Sequence, residues 1–213
     1  MKTIRIGSGA GYSGDRIEPA VELALKGNIQ YLCLECLAER TIAIAQQNRL
    51  KNPDLGYDPL LEARWRALLP VCHANRVTLI TNMGAANPIA ALKKTKDIAR
   101  ELGLSGLKIA AVTGDDVLDA LNSGDYSLDE TGEKVSSLGE TIVSANAYLG
   151  AAPIVEALKA GANVVITGRV ADPAIFSAPM IFEFGWKMDD WKLMGTATGA
   201  GHLLECASQV SGG

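Results

Sequence analysis

Ile6–Arg16 reads IGSGAGYSGDR, four glycines between a short apolar run and a helical pattern. A short run, Lys2–Ile6, reads as a β-strand feeding a loop with glycines at 7, 9, 11 and 14, and a helical pattern begins at Ile17. Strand, glycine-rich loop and helix in that order open a βα unit. Glycine has no Cβ, so such a loop is free to take positive φ and bring bare backbone N–H groups up to a ligand. The first turn of the following helix adds partial positive charge. Gly9-x-Gly11-x-x-Gly14 formally matches the dinucleotide fingerprint, with Glu35 as the acidic residue expected about 20 positions on. Together with Arg16 these glycines are a candidate binding loop for a dinucleotide, or for another anionic or carbonyl group. The plainer alternative is a tight turn that holds no ligand.

The rest of the chain repeats the pattern. A helix over Ile17–Lys26 has Asp15 as its expected N-cap and Gly27 as its stop. Gln30–Leu37 is nearly continuous in apolar residues, as a strand buried on both faces should be. Helices follow over Ala38–Leu50 and from Asp58-Pro59 to about Asn75. Val77–Thr81, Leu107–Val112, Thr141–Ala145 and Asn163–Thr167 read as further strands. Between them lie helical runs over Pro88–Leu102, from Asp115-Asp116 to Leu121, and over Pro153–Lys159, then Pro173–Phe184 and Asp189–Val210. Asn122–Glu140 is polar and weakly patterned, an excursion that forms a small hairpin or lid. Alternating strands and helices predict an α/β, Rossmann-like, mostly parallel sheet flanked by helices. With no internal repeat and no linker, residues 1–213 are expected to form a single α/β domain.

Composition narrows the partners. The 213 residues are 48% hydrophobic and 21% charged, with a formal net charge of −4. This mild acidity, without a basic run, argues against nucleic acid or an anionic membrane surface. No apolar run approaches the roughly 18 residues of a membrane span. The N-terminus enters a strand directly, so a cytoplasmic protein is expected. Cys33 and Cys36 form a Cys-x-x-Cys, but on a strand positions three apart point to opposite faces and share no metal or disulfide. Buried reduced thiols are the simpler reading, in keeping with the cytosol.

Nearly every strand runs into a small polar loop: GSGAGYSGDR, ECLAERT, TNMGAANP, TGDDV, SANAYLG and TGRVADP. In an open α/β sheet such loops gather at the carboxyl edge, where ligands bind. Glu35 ends a buried strand, so its carboxylate is either paired, with Arg40 or Arg169, or raised in pKa for acid–base work. Asn82, Asn87 and Asn146 offer amides to a carbonyl or hydroxyl, with turn and capping roles as their alternatives. Arg169 is placed to clamp a carboxylate or phosphate, or else to pair with Asp172. Asp115 and Asp116 are helix caps before they are metal ligands, and no metal site is assigned. His202, Glu205 and Cys206 share one helix face, with Gln209 a turn on, a grouping suited to proton transfer or to thiol chemistry. No Walker A loop and no nucleophile elbow occurs.

Taken together, RIGSGAGYSGDRIEPA, ECLAERT, GYDPLLEARWRALLP, TNMGAANP, GDDV, ANAYLGAAPIVEAL, TGRVADPA and AGHLLECASQVSGG resemble the acyclic terpene utilisation protein A (AtuA) family, in order along nearly the whole chain. The resemblance implies breakdown of citronellol- and geraniol-type terpenes, alongside the handling of branched acyl-CoA thioesters. It carries over no catalytic role for any residue and no cofactor. Family members typically continue into a further half, so these residues are expected to be an N-terminal portion. A homo-oligomer or a partner chain would then supply the missing half. The expected function is an enzyme of acyclic terpenoid or branched-acid catabolism, a lyase or hydratase acting on an anionic small molecule such as an acyl-CoA. Glu35, Glu205, His202, Asn82 and Asn146 would carry the chemistry, with Gly9, Gly11, Gly14, Arg16 and Arg169 holding the anion. The alternative is a non-catalytic binding or structural subunit of a larger assembly.

Overall fold

A computed structural model describes residues 2–206. Five strands, β1 (Ile6–Ala10), β2 (Tyr31–Leu34), β3 (Thr78–Thr81), β4 (Ile109–Val112) and β5 (Val164–Thr167), form one all-parallel sheet in the order β1-β2-β3-β5-β4. The helices are α1 (Glu18–Lys26), α2 (Glu39–Lys51), α3 (Leu61–Asn75) and α4 (Pro88–Glu101), then α5 (Leu118–Ser123), α6 (Ala152–Lys159), α7 (Ala174–Phe184) and α8 (Trp191–Glu205). This is the Rossmann-like α/β architecture expected from the alternating pattern. No helix among the described residues is long and apolar enough to cross a membrane.

Strand side chains alternate between two cores. Leu32, Leu34, Leu79, Val164 and Ile166 face α1, α3 and α4. Cys33, Ile80, Val165 and Val112 face the other way, toward α6 and α7. Forward moves across the sheet thus carry their helices on one face, and the return from β4 to β5 carries α6 on the opposite face, as right-handed crossovers require. The neighbours β3 and β5 exit to opposite faces, β3 to α4 and β5 to α7. Their carboxyl ends flank a topological switch point, the usual place for a ligand crevice.

Three sequence expectations need correction. The first strand is not Lys2–Ile6 but IGSGA itself, so Gly7 and Gly9 lie within β1 and not in a loop. Neither they, nor Gly11, nor Gly14 has positive φ. Their smallness serves packing: a Cβ on Gly7 would come 2.6 Å from Leu23 Cδ2, and one on Gly9 3.0 Å from Leu32 Cδ1. Asp15 does not cap α1, whose N-cap is Ile17 with no side-chain cap bond. It accepts instead from the Gly11 N–H at 2.9 Å and the Arg16 N–H at 2.8 Å. Thr141–Ala145 forms no strand; Val143 there is exposed, and Ser127 and Lys134 make a small antiparallel bridge in the preceding excursion. The last helix expected from Asp189 is present over Trp191–Glu205, capped by Asp190, and the rest of that expectation, Gln209 included, lies outside the described residues.

Candidate functional site

The carboxyl ends of β2 and β3 build the centre of the site. Their register pairs Leu34 with Thr81, which places the next residues, Glu35 and Asn82, side by side. Asn82 donates from Nδ2 to Glu35 Oε1 at 2.9 Å and accepts from the Cys36 N–H at 2.7 Å. The Leu37 N–H adds a second bond to Glu35 Oε1 at 2.8 Å. Both side chains are buried. Burial pushes the Glu35 carboxyl up to about 7; the Asn82 and Leu37 bonds oppose this, and the negative charges of Asp172 and Glu205 add to it. Asn82 therefore serves first to orient Glu35.

The loop after β5 brings in Arg169, which is buried. Its Nη1 donates to the Leu37 carbonyl at 2.9 Å, while Nε and Nη2 donate to the Val170 carbonyl at 3.0 and 2.7 Å. Nη2 also pairs with Asp172, and the guanidinium lies over the Tyr148 ring, 4.5 Å from its centroid. With four of five donors so engaged, Arg169 ties the β2 and β5 loops together. Asp115 accepts from the Arg169 N–H at 2.8 Å and from Asn146 Nδ2 at 3.0 Å, so Asn146 is held at the rim of the same edge. Tyr148 donates in turn to Glu39, the first residue of α2.

Helix α8 reaches this edge with its last turn. Gly201 lets it approach, since a Cβ there would come 2.7 Å from the Pro173 carbonyl oxygen. Glu205 is consequently buried, with His202 Nδ1 3.0 Å from its Oε1. The imidazole itself is exposed. His202 and Glu205 thus share a face of α8, while Cys206 lies past the helix end as its C-cap, with its thiol hydrogen-bonded to Glu205. That thiol is poorly suited to nucleophilic work, because the hydrogen bond to Glu205 and burial push Cys206 up to about 11. Asp172, raised by burial and by the Glu205 charge against the pull of Arg169, completes a set of carboxyls around Glu35.

The β1 loop is organised by a residue that the sequence reading passed over. Arg64 on α3 is fully buried; its Nη2 donates to the Ser13 and Asp15 carbonyls at 2.8 and 3.1 Å, and its Nη1 lies 3.4 Å from Asp58 Oδ1. The signal was present, since Leu61, Arg64, Trp65 and Leu68 fall on one helix face and an arginine on an apolar stripe needs a partner. The Gly11 amide is taken by Asp15, while Gly14 and Arg16 are exposed. Gly9 faces the packed core, so any anion at this loop would meet Gly14 and Arg16 and not the bare amides of a fingerprint loop.

Between this loop and α2 lies a cleft of about 260 Å³, bounded by the loops after β1, β2 and β3. Glu35 is not part of its wall, but the next two residues, Cys36 and Leu37, are. Among the described residues no group of three or more His, Cys, Asp or Glu is placed to hold a metal ion.

Fold and edge together define a Rossmann-like α/β protein with a buried carboxyl beside the switch point of its sheet. The model of the family described as Acyclic terpene utilisation family protein AtuA matches residues 4–213, and the chain belongs to that family. No curated protein and no solved structure matches it.

Proposed function

We propose that the chain acts in the catabolism of acyclic terpenoids or branched acids, as a cytoplasmic lyase or hydratase that moves a proton next to the carbonyl of an acyl-CoA thioester. The observation that carries this reading is Glu35: a buried carboxyl at the carboxyl edge, held by Asn82, with a pKa of about 7 that lets it take and return a proton near neutral pH. In the carboxylate form Glu35 removes a proton from the carbon next to the thioester carbonyl. The C–H electron pair becomes the enolate, its charge moving to the carbonyl oxygen. The second amide hydrogen of Asn146 is the candidate donor to that oxygen. Collapse of the enolate expels a leaving group from the adjacent carbon, and protonation of that group by Glu35 closes the balance. Arg16 and Gly14 serve the anionic end of the substrate, and Arg169 fixes the loops. His202 and Glu205 connect the site to solvent.

A thermal-shift series with free CoA, a branched acyl-CoA, NAD and ATP tests the binding part. A ligand at a hundred times its dissociation constant stabilises by about 2.7 kcal/mol, which raises the melting temperature of a chain this size by roughly 5–10 °C. A shift with the acyl-CoA alone is expected. A shift with NAD alone would favour the dinucleotide reading.

One observation favours the subunit alternative. The outer face of α8 presents Trp191 and Leu203, 80% and 69% exposed, with open space over Gly195 and Gly199 between them. On that reading, sedimentation shows an assembly that Trp191→Ala and Leu203→Ser disrupt, and no acyl-CoA binds.

A further inference from the structure

The cleft beneath α2 holds a second inference, independent of the thioester reading. One face of α2 forms its roof: Arg40, Thr41, Ile44, Ala45 and Asn48 line it at helical spacing. Leu37 and Ala85 close the apolar wall, packed with Ala45. Ile44 is 45% exposed, a large apolar side chain left without full cover at the mouth.

The polar side chains of the cleft are those of Ser13, Arg40, Thr41, Asn48, Tyr57 and Asp58. Ser13 donates from Oγ to Asp58 Oδ2 at 2.7 Å, which leaves the hydroxyl with only lone pairs to offer. Asp58 Oδ1 is already met by the Leu60 N–H at 2.7 Å and by Arg64, so its charge is answered from behind the wall. Arg40 is the other charged residue lining the cleft, and it is exposed. The Cys36 thiol is buried and held protonated. The wall opposite α2 thus offers an apolar frame with the Ser13 hydroxyl as an acceptor beside a carboxylate already met by Arg64, while Arg40 is exposed and the Thr41 hydroxyl is taken by the Ala38 backbone.

We propose that this cleft binds a small uncharged molecule which donates one hydrogen bond, from a hydroxyl or an amide, to Ser13 Oγ. An apolar cavity of about 150 Å³ takes benzene, so 260 Å³ accommodates roughly ten non-hydrogen atoms. That is too little for a nucleotide. The ligand rests against α2, which is anchored at its ends by the Tyr148–Glu39 bond and by Arg49 to the Ala86 carbonyl at 2.9 Å. Occupancy therefore bears on the same helix whose N-terminus touches the Arg169–Tyr148 stack.

Methyl-resolved NMR on the whole chain tests this with three probes of one frame: cyclohexanol, methylcyclohexane and cyclohexanecarboxylate. Cyclohexanol is expected to shift the methyls of Leu37, Ile44, Ala45 and Ala85 saturably, and the carboxylate to bind at least several-fold more weakly. Ser13→Ala should weaken cyclohexanol about fivefold and leave methylcyclohexane unchanged, since it removes one hydrogen-bond acceptor. Ala45→Phe should abolish both by filling the space. Ile44→Trp does the same from a half-exposed position should the first variant fold poorly. The proposal is overturned if shifts scatter over the surface or do not saturate. It is equally overturned if the carboxylate binds as well as the alcohol, or if Ser13→Ala weakens all probes alike.

Discussion

At the scale of single residues, Glu35 dominates. Its folded pKa of about 7 lies above the ordinary 4.5, so the folded state binds its proton more tightly than the unfolded chain does. Its contribution to stability is neutral below about pH 4.5, falls as pH rises through the interval to about 7, and is level above it, with a total loss on the order of 3 kcal/mol. Glu35→Gln should flatten that part of the urea-melt profile and make the variant the more stable protein above pH 7. A profile identical to wild type would contradict the burial argument. The neighbours pull in opposite directions: carboxyl-labelled NMR should show Asn82→Ala raising the Glu35 pKa and Glu205→Gln lowering it. Glu35 was legible in the sequence as a lone acid ending an apolar run. That Asn82 would be its partner was not, because the pairing depends on the β2–β3 register, which depends on packing across the whole sheet.

At the scale of elements, the lesson of IGSGAGYSGDR is that glycines close to a strand end have two uses that look alike in sequence. Here Gly7 and Gly9 let α1 lie close on β1, and the loop proper is held by side chains, Asp15 from within and Arg64 from α3. Arg64→Met should therefore cost about 3–5 kcal/mol in chemical denaturation, since it strands the buried Asp58 and two carbonyls. A loss under 1 kcal/mol would show that the loop does not rely on it. Gly201→Val should displace the end of α8 from Pro173, and Glu205 with it. Its readout is a lower Glu35 pKa, with the sheet unchanged by circular dichroism. Thr141–Ala145 misled for a local reason: β-branched residues favour a strand only where a neighbour strand accepts them, and β5 takes the place beside β4.

At the scale of the whole molecule, alternation of strands and helices was enough to give the fold class, and the polar loops after each strand gave the edge at which to look. The order β1-β2-β3-β5-β4 was not readable, and it is this order that sets the exits of β3 and β5 toward opposite faces and brings Asp172, Arg169 and Glu205 around Glu35. Contacts that join residues far apart in sequence, such as Arg169 to Leu37, leave no periodic trace. We propose that this edge removes a proton next to a thioester carbonyl. Proton-NMR of a branched acyl-CoA incubated with the protein in deuterium oxide near pH 7 reads that step. The expected result is exchange of the protons next to the carbonyl, slowed at least a hundredfold by Glu35→Gln. Exchange at the uncatalysed rate, or equal exchange by the variant, would contradict the assignment.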